Sequence, residues 1–130
     1  IWEMACYSGF LTGQAVARRM VARRRGTMIF TGATASLRGA AGFAAFAGAK
    51  HGLRALAQSL ARELGPSNLH VAHVIDTAFI RDNFPERHAS KSEDGILAPE
   101  HIADTYWFLQ QQPRDAWTFE LDLRPWSERW

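Results

Sequence analysis

The 130-residue sequence lacks several features that define large classes of proteins. Its one cysteine, Cys6, rules out a disulfide within the chain and suits a reducing compartment. No apolar run reaches the roughly 18 to 20 residues that span a membrane, and no signal peptide opens the chain. We therefore expect a cytoplasmic protein without a membrane partner. Because the chain begins at Ile1 rather than methionine, we expect a fragment or a processed product.

The charge and the motif content exclude further classes. The net charge of +2 is too small to imply a nucleic-acid partner, and the arginines within residues 18–25 are typical of a solvated helix end. The sequence contains no GxSxG elbow, no HExxH pair and no CxxC pair. His70 and His73 are not at metal-ligand spacing with any cysteine or aspartate cluster. We therefore expect core or edge roles for both histidines and no metal site.

Apolar periodicity predicts an alternating order of helices and strands. The predicted helices are residues 2–24, 43–64 and 99–111, and the predicted strands are residues 27–31, 69–75 and 117–123. The mostly polar segment 76–97 is expected to be a loop or a short helix. This order predicts one α/β domain over residues 1–130, with a parallel sheet of about three strands and three main helices.

The predicted helix 43–64 has two faces of different character. A leucine stripe at helical spacing indicates a core face, formed by Leu53, Leu56, Leu60 and Leu64. A second face has only small side chains, at Ala44, Gly48, Gly52 and Ala55. Since glycine costs about 1 kcal/mol inside a helix relative to alanine, these glycines indicate close approach of another backbone or a cofactor. In the first helix, the expected core face is Phe10, Val16, Met20 and Val21.

The run from Gly26 to Pro66 carries the most specific pattern. It contains the apolar strand and turn GTMIFTGATAS, then the helix FAAFAGAKHGLRALAQSLARELGP with an aromatic-x-x-x-Lys step. Together with WEMACYSGFLTGQAVARRM before it and LHVAHV and IDTAFI after it, this run resembles the C-terminal half of a short-chain dehydrogenase/reductase. The resemblance implies a partial Rossmann-like, doubly wound sheet. It also implies NAD or NADP as the cofactor and carbonyl/alcohol chemistry.

The resemblance also implies particular site residues. In the family, a tyrosine acts as general acid/base, and a lysine four residues later holds the nicotinamide ribose and lowers the tyrosine pKa. Here Lys50 is retained, but the tyrosine position is Phe46, which has no proton to give. The family's carbonyl-polarising serine falls at Ala33, with the hydroxyl of Thr34 beside it. The family's asparagine, which supports a proton-relay water, corresponds to Cys6.

Two family segments are missing. The family's Ile-x-Thr step, which touches the nicotinamide, is Ile75-Asp76-Thr77 here, so the resemblance implies cofactor contacts at Thr77 and Lys50. The Pro-Gly turn that usually precedes this step is absent between Val74 and Ile75, through a true deletion or an omitted segment. The glycine-rich βαβ unit that holds the pyrophosphate in the family is also absent.

Each of these residues has a simpler interpretation. Lys50 can be a solvated helix lysine, and Thr34 can hydrogen-bond within its own turn. Phe46 is best read as a packing residue. Cys6 lies near a helix start, where a thiolate is favoured, but a buried and inert thiol fits it as well.

Two functions therefore compete at this point. The first is an NAD(P)-linked oxidoreductase homologue that is degenerate or inactive as this chain alone. The second is a non-catalytic binding or assembly module, a homo-oligomer formed through helices 2–24 and 43–64, which in the family pack against a partner subunit. A three-stranded half-sheet leaves an edge and a face that invite association. A missing N-terminal half on another chain is a further candidate partner.

Overall fold

The computed structural model describes residues 1–130 as a three-stranded parallel sheet with helices on both faces. The strands lie in the order β1 (Gly26–Thr31), β2 (Leu69–Ile75) and β3 (Glu120–Asp122). The helices are α1 (Ser8–Arg23), α2 (Ala44–Leu64) and α3 (Pro99–Gln111). The partial Rossmann-like fold predicted from the sequence is confirmed.

The central strand β2 divides the core into two layers. All seven residues of β2 are buried, which is usual for a parallel strand covered on both faces. Since successive side chains of a strand point to opposite faces, Leu69 and Val71 pack with α1 and α2, whereas Ala72 and Val74 pack with Leu109 of α3. The carboxyl ends of β1 and β2 lie side by side, with Thr31 opposite Val74.

The last strand is shorter than predicted. The sequence alternation predicts residues 117–123, but only Glu120–Asp122 pair with β2. Gln112, just after α3, explains the difference: its side-chain oxygen accepts a hydrogen bond from the Thr118 N–H, and its carbonyl accepts one from the Trp117 indole. The Trp117 ring then stacks on His70 at 5.0 Å between centroids.

The small-residue face of α2 is in close contact with the start of the chain. A π-helical turn, Glu3–Tyr7, precedes α1 and packs against α2. A Cβ atom at Gly52 would lie 2.9 Å from the Cys6 sulfur and 3.3 Å from the Trp2 ring. The sequence predicted the approach of another backbone or a cofactor at Gly48 and Gly52, but the close neighbours at Gly52 are side chains, and the nearest atom to a Cβ at Gly48 would be 4.0 Å away on Trp2.

The predicted core faces of α1 and α2 are only partly correct. Leu53 and Leu64 are buried, and the other two leucines of the stripe are half-buried. In α1, Val16 and Met20 pack on the core. Phe10 and Val21 were expected there, but they are exposed because no element of this chain covers that side of α1.

The segment between β2 and α3 is a loop rather than a helix. It contains two short 3-10 turns, Pro85–Arg87 and Glu93–Gly95, and one isolated parallel bridge between Ile80 and Leu97. This loop and the C-terminal tail after β3 frame the carboxyl ends of the strands. No helix in the structure has both the length and the apolar character needed to cross a bilayer.

Candidate functional site

Lys50 and Phe46 lie together at the carboxyl end of β1. The Lys50 ammonium donates a hydrogen bond of 3.0 Å to the main-chain carbonyl of Thr31. The same ammonium lies 5.8 Å from the centroid of the Phe46 ring, one helical turn earlier in α2. Burial lowers the pKa of Lys50 below its ordinary 10.5, and the charge of Asp76 partly opposes this shift. The lysine is therefore half-buried at the strand ends, and it is not a freely solvated side chain.

The Thr34 hydroxyl is anchored by the C-terminal tail. Arg124 donates to Thr34 Oγ1 at 2.7 Å. The turn that contains Thr34 is instead closed by Ser36, whose hydroxyl accepts from the Ala33 N–H at 3.1 Å and is fully buried. The sequence left two roles open for the Thr34 hydroxyl, a hydrogen bond within its own turn or a contact with substrate. The hydrogen bond that closes the turn is made by the Ser36 hydroxyl instead. Thr34 keeps a hydroxyl that faces a cavity.

Thr34 and Phe46 line a common cavity of about 310 Å³. The other lining side chains that bear on its chemistry are Asp76, Phe79, Glu128 and Arg129. A larger cavity of about 960 Å³ lies against the start of α3 and the tail, but it contains neither of the predicted site residues Thr34 and Phe46. We take the smaller cavity as the candidate site because Thr34 and Phe46 line it, although Lys50 is not among its lining residues.

Asp76 is a site residue that the sequence analysis treated only as the variable position of the Ile-x-Thr step. It follows β2 directly, is half-buried, and accepts a hydrogen bond from the Thr77 N–H at 2.7 Å. Burial raises the pKa of Asp76 above its ordinary 3.8, and the nearby Glu128 charge raises it further. The Thr77 N–H and the Lys50 charge act in the opposite direction and do not cancel the shift.

The tail brings a second carboxylate to the cavity. The side chains of Arg124 and Glu128 are each only 7% exposed, and they form an ion pair at 3.1 Å. The other Glu128 oxygen, Oε2, is buried without a hydrogen-bond partner. Asp122 lies 2.8 Å from the Arg124 guanidinium, and the Trp130 ring lies 4.4 Å from it. The i, i+4 spacing of Arg124 and Glu128 was visible in the sequence, but their place at the site was not.

Thr77 lies beside Asp76 with its hydroxyl already engaged. The residue is 6% exposed, and its Oγ1 accepts a hydrogen bond from the Phe79 N–H at 3.1 Å. The structure thus places Thr77 next to the cavity residues but not among those that line it. Its contact with a cofactor stays a prediction, as do the catalytic roles of Lys50 and Thr34.

Tyr106 of α3 also reaches the end of β1, from the other face of the sheet. Its hydroxyl lies 2.8 Å from the Thr31 hydroxyl, and either group can donate. Burial raises the pKa of Tyr106 above its ordinary 10.0, and the Asp76 charge adds to this, while the Thr31 hydrogen bond lowers it. Tyr106 does not line the candidate cavity.

A partly buried ionic network joins α2, β2 and β3. Arg54 of α2 donates two hydrogen bonds to Glu120 of β3, at 2.7 and 2.8 Å. The same carboxylate lies 3.0 Å from Nδ1 of His73, whose side chain is fully buried. The Arg54 hydrogen bond is the main cause of a lowered Glu120 pKa. Burial lowers the pKa of His73, so its neutral ring donates Nδ1–H to Glu120.

The remaining nitrogen of His73 faces the backbone of Gly32. A Cβ atom at Gly32 would lie 2.2 Å from His73 Nε2, which has no hydrogen-bond partner. Only glycine fits at this point of the turn. The histidine therefore has a core role, as the sequence analysis preferred. No group of three or more His, Cys, Asp or Glu side chains is arranged to hold a metal ion.

Comparison with known proteins assigns the chain to a family. The sequence model of the short chain dehydrogenase family matches residues 2–87. The curated 3-oxoacyl-(acyl-carrier-protein) reductase FabG of Salmonella typhimurium is 35% identical over 98 residues, which are 75% of this chain and 40% of that protein. The chain therefore belongs to the short-chain dehydrogenase family, and the resemblance predicted from the sequence is confirmed.

Solved structures agree with this assignment. A short-chain dehydrogenase from Rhodopseudomonas palustris is 52% identical and superposes with a TM-score of 0.77, over 96% of this chain and 50% of that one. A metagenomic short-chain oxidoreductase, solved in complex with NADP, is 25% identical with a TM-score of 0.76, over 96% of this chain and 49% of that one. The chain thus spans about half the length of the relatives that it matches.

The residues present fit one part of a nicotinamide dinucleotide. A lysine ammonium has three N–H donors, and one of them at Lys50 is used by the Thr31 carbonyl. The other two are free to hold the ribose hydroxyls next to the ends of β1 and β2. Within residues 1–130, no glycine-rich turn opens a helix that would hold the pyrophosphate.

Proposed function

We propose that this chain supplies the ribose-binding and substrate-binding half of an NAD(P)-linked oxidoreductase acting on carbonyl or alcohol groups. Two observations carry the proposal: Thr34 and Phe46 line one cavity, and the Lys50 ammonium, bound to the Thr31 carbonyl, lies 5.8 Å from the centroid of the Phe46 ring. When bound, a reduced nicotinamide supplies a hydride to the substrate carbonyl carbon. The lone thiol of Cys6 fits the cytoplasmic location that we propose with this function.

Thr34 is suited to polarise the substrate carbonyl. Its oxygen accepts the Arg124 hydrogen bond at 2.7 Å, so its own O–H is directed elsewhere. A hydroxyl has one donor and two acceptor sites, and the cavity is the open direction. A carbonyl oxygen bound there receives a hydrogen bond from Thr34, while the Phe46 and Phe79 rings exclude water from the apolar side of the substrate.

We also propose that the chain is degenerate on its own. Phe46 cannot donate a proton, and no residues of the chain hold the pyrophosphate. Family members need both the proton donor and the pyrophosphate-binding residues for turnover. Carbonyl reduction by this chain alone is therefore slow or nil. The residues that hold the pyrophosphate would then lie outside residues 1–130.

Replacing Phe46 tests this proposal. Phe46→Tyr restores a hydroxyl one helical turn from Lys50, and we expect it to raise NADPH-dependent reduction of an aryl ketone at millimolar NADPH. Phe43→Tyr is the matched control, because Phe43 lines the same cavity but precedes α2. If Phe46→Tyr gives no more reduction than Phe43→Tyr while NADPH binds, Lys50 does not position the nicotinamide and the proposal is wrong.

A second function, assembly without catalysis, is favoured by one specific observation. Helices α1 and α2 form an uncovered groove of about 540 Å³ lined by Phe10, Val21, Leu56 and Leu60. Phe10 is 42% exposed and Val21 37% exposed. Burial of such a face against a second copy is favourable at about 25 cal/mol per Å² of apolar surface, so this alternative proposes a homo-oligomer through residues 2–24 and 43–64.

Light scattering separates this second function from the first. We expect the wild-type chain to be a dimer or larger at micromolar concentration, and Val21→Asp to shift it to monomer. Ala22→Asp is the control, since Ala22 is exposed on α1 but does not line the groove. A wild-type chain that remains a monomer at micromolar concentration contradicts the assembly function and leaves the oxidoreductase proposal as it stands.

A further inference from the structure

We propose that a cavity at the amino ends of β1 and β2 binds a phosphate-class anion that carries its own O–H group. Thr27 of β1 lines this cavity. Lys50 binds the carbonyl of Thr31, four residues further along β1 and therefore roughly 13 Å away along the strand. The proposed anion site and the candidate oxidoreductase site thus lie at opposite edges of the sheet, and the inference goes beyond the proposed function.

The charge of the cavity favours an anion. The cavity has a volume of about 520 Å³, and Arg23 and Arg25 line it, whereas no aspartate or glutamate does. Both arginines are exposed, and neither forms an ion pair within the chain. A guanidinium group can bind a phosphate through two parallel hydrogen bonds. Two such groups without a carboxylate beside them attract a negatively charged ligand.

The backbone turn at the end of α1 brings the two arginines to one cavity. Arg24 has a left-handed backbone conformation, with φ of 51°, and it ends α1. Its own guanidinium donates to the Pro66 carbonyl at 3.3 Å, away from the cavity. The Asn68 side chain donates to the Arg24 carbonyl at 2.8 Å. This contact joins the turn between Arg23 and Arg25 to the start of β2.

His70 provides a rigid part of the cavity wall. It lines the cavity and is only 3% exposed. Its Nε2 donates a hydrogen bond of 2.7 Å to the Thr118 carbonyl, and its ring stacks parallel to the Trp117 ring. Gln112 holds both neighbours, because it accepts from the Trp117 indole at 3.1 Å and from the Thr118 N–H at 2.9 Å. The imidazole is therefore fixed in place without a ligand.

The second nitrogen of this imidazole lacks a partner. Nδ1 of His70 is buried and makes no hydrogen bond. Since a carbonyl oxygen can only accept, the hydrogen of the neutral ring lies on Nε2, and Nδ1 is an acceptor. A buried acceptor without a partner is unfavourable. A ligand that brings a donor to Nδ1 therefore gains a hydrogen bond that the chain alone does not make.

The need for a donor selects the class of anion. The arginines require negatively charged oxygens, and Nδ1 of His70 requires an O–H group. Sulfate and ionised carboxylates offer acceptors only. Hydrogen phosphate offers both kinds of group, and so does a phosphate monoester that keeps one proton. The arrangement thus favours a protonated phosphate over other common anions.

Calorimetric titration with inorganic phosphate and with sulfate tests this selectivity. At about pH 8 both ions carry close to two negative charges and imidazole is ordinarily neutral, so the phosphate O–H is the relevant difference. We expect the wild-type chain to bind phosphate roughly three- to tenfold more tightly than sulfate, the usual worth of one hydrogen bond. Equal affinities, or no saturable phosphate binding up to tens of millimolar, overturn the proposal.

Substitution of single arginines tests where the anion binds. Arg23→Gln and Arg25→Gln should each weaken phosphate binding roughly three- to tenfold through loss of a hydrogen-bonding cation. Arg19→Gln is the matched control, since Arg19 is an exposed arginine of α1 that does not line the cavity. Equal effects of all three substitutions would mean that the anion is only attracted to a basic helix end, which overturns the proposal.

Nitrogen NMR of the imidazoles tests the contact with His70 without changing a buried residue. We expect the Nδ1 signal of His70 to shift at about pH 8 as phosphate saturates the wild-type chain, and to stay in place with sulfate, since imidazole is ordinarily neutral there. His101 is the internal reference, because it is exposed on α3 and lies outside the cavity. A His70 signal that moves no more than the His101 signal overturns the proposal.

Methyl phosphate separates the two sources of a protonated phosphate. At about pH 6, roughly half of a phosphate monoester keeps its O–H. Binding of methyl phosphate at this pH supports a monoester as the ligand, and binding of inorganic phosphate alone supports the free ion. Neither ligand contains a nicotinamide, so failure of these experiments is distinct from failure of the Phe46→Tyr test.

Discussion

The Arg124 guanidinium donates a hydrogen bond of 2.7 Å to the Thr34 hydroxyl across 90 positions of sequence. This contact fixes the C-terminal tail over the candidate cavity. It also orients the Thr34 hydroxyl, which in our proposal donates a hydrogen bond to the substrate carbonyl. The same guanidinium pairs with Glu128. One arginine thus connects the predicted polarising group to the second carboxylate of the site.

We predict that Arg124→Leu destabilises the chain by about 3 kcal/mol or more. The change leaves the Glu128 charge buried without its partner, and breaking one side of a buried ion pair typically costs this much. Urea unfolding followed by circular dichroism measures the loss. Arg129→Leu is the control, since Arg129 is exposed on the same tail. Equal effects of the two substitutions would show that the Arg124 pair contributes no specific stability.

We predict that Gly32→Ala destabilises the chain by roughly 1–3 kcal/mol, the usual cost of overpacking. The new Cβ would lie 2.2 Å from His73 Nε2 and 2.8 Å from the Ser36 hydroxyl. His73 has little room to move, because Glu120 holds its other nitrogen. Thermal unfolding gives the comparison with Gly39→Ala, where a Cβ meets nothing within 4 Å. A Gly32→Ala chain as stable as Gly39→Ala contradicts the packing described here.

The stability of the chain should fall as the pH drops below 6.5. Burial lowers the pKa of His73 below that ordinary value in the folded state, so the unfolded chain binds more protons in this range and stability rises with pH. The lost stability accumulates between pH 6.5 and the lowered folded pKa. Urea unfolding at several pH values gives the free energy of unfolding as a function of pH. Below pH 6.5 the slope of this plot should be shallower for His73→Leu than for the wild-type chain. An unchanged slope would mean that His73 does not titrate differently on folding.

A tyrosine placed at position 46 should be a stronger acid than an ordinary tyrosine. The Lys50 ammonium lies 5.8 Å from the Phe46 ring centroid, and a nearby positive charge favours the phenolate. Ultraviolet difference titration of Phe46→Tyr should show a new phenol with a pKa below 10.0. Phe46→Tyr combined with Lys50→Met should return that pKa to about 10. A phenol that titrates alike in both chains rules out electrostatic contact with Lys50.

The fold was largely predictable because helical and strand periods are local properties of the sequence. The exceptions have long-range causes. Alternation in WTFELDL does not reveal that Gln112 binds Thr118 and removes it from the strand. Periodicity in α1 marks Phe10 as apolar, but it does not tell which neighbour covers that residue.

The site was predictable only where one continuous run carries it. Lys50, Phe46 and Thr34 lie within 17 positions of one another, so their family spacing could be read directly. Arg124 and Glu128 reach the cavity from the far end of the chain, and Asp76 is brought to them by the folding of β2 against β3. Such encounters depend on tertiary packing, and nothing in local spacing indicates them.

The most direct test of the central claim is a fluorescence titration of the 130-residue chain with NADPH. We predict weak but saturable binding that Lys50→Met abolishes and that Arg62→Met retains, since Arg62 is an exposed cation later on the same helix. Absence of saturable binding up to millimolar NADPH, or equal binding by the Lys50→Met and Arg62→Met chains, would contradict a ribose site at Lys50.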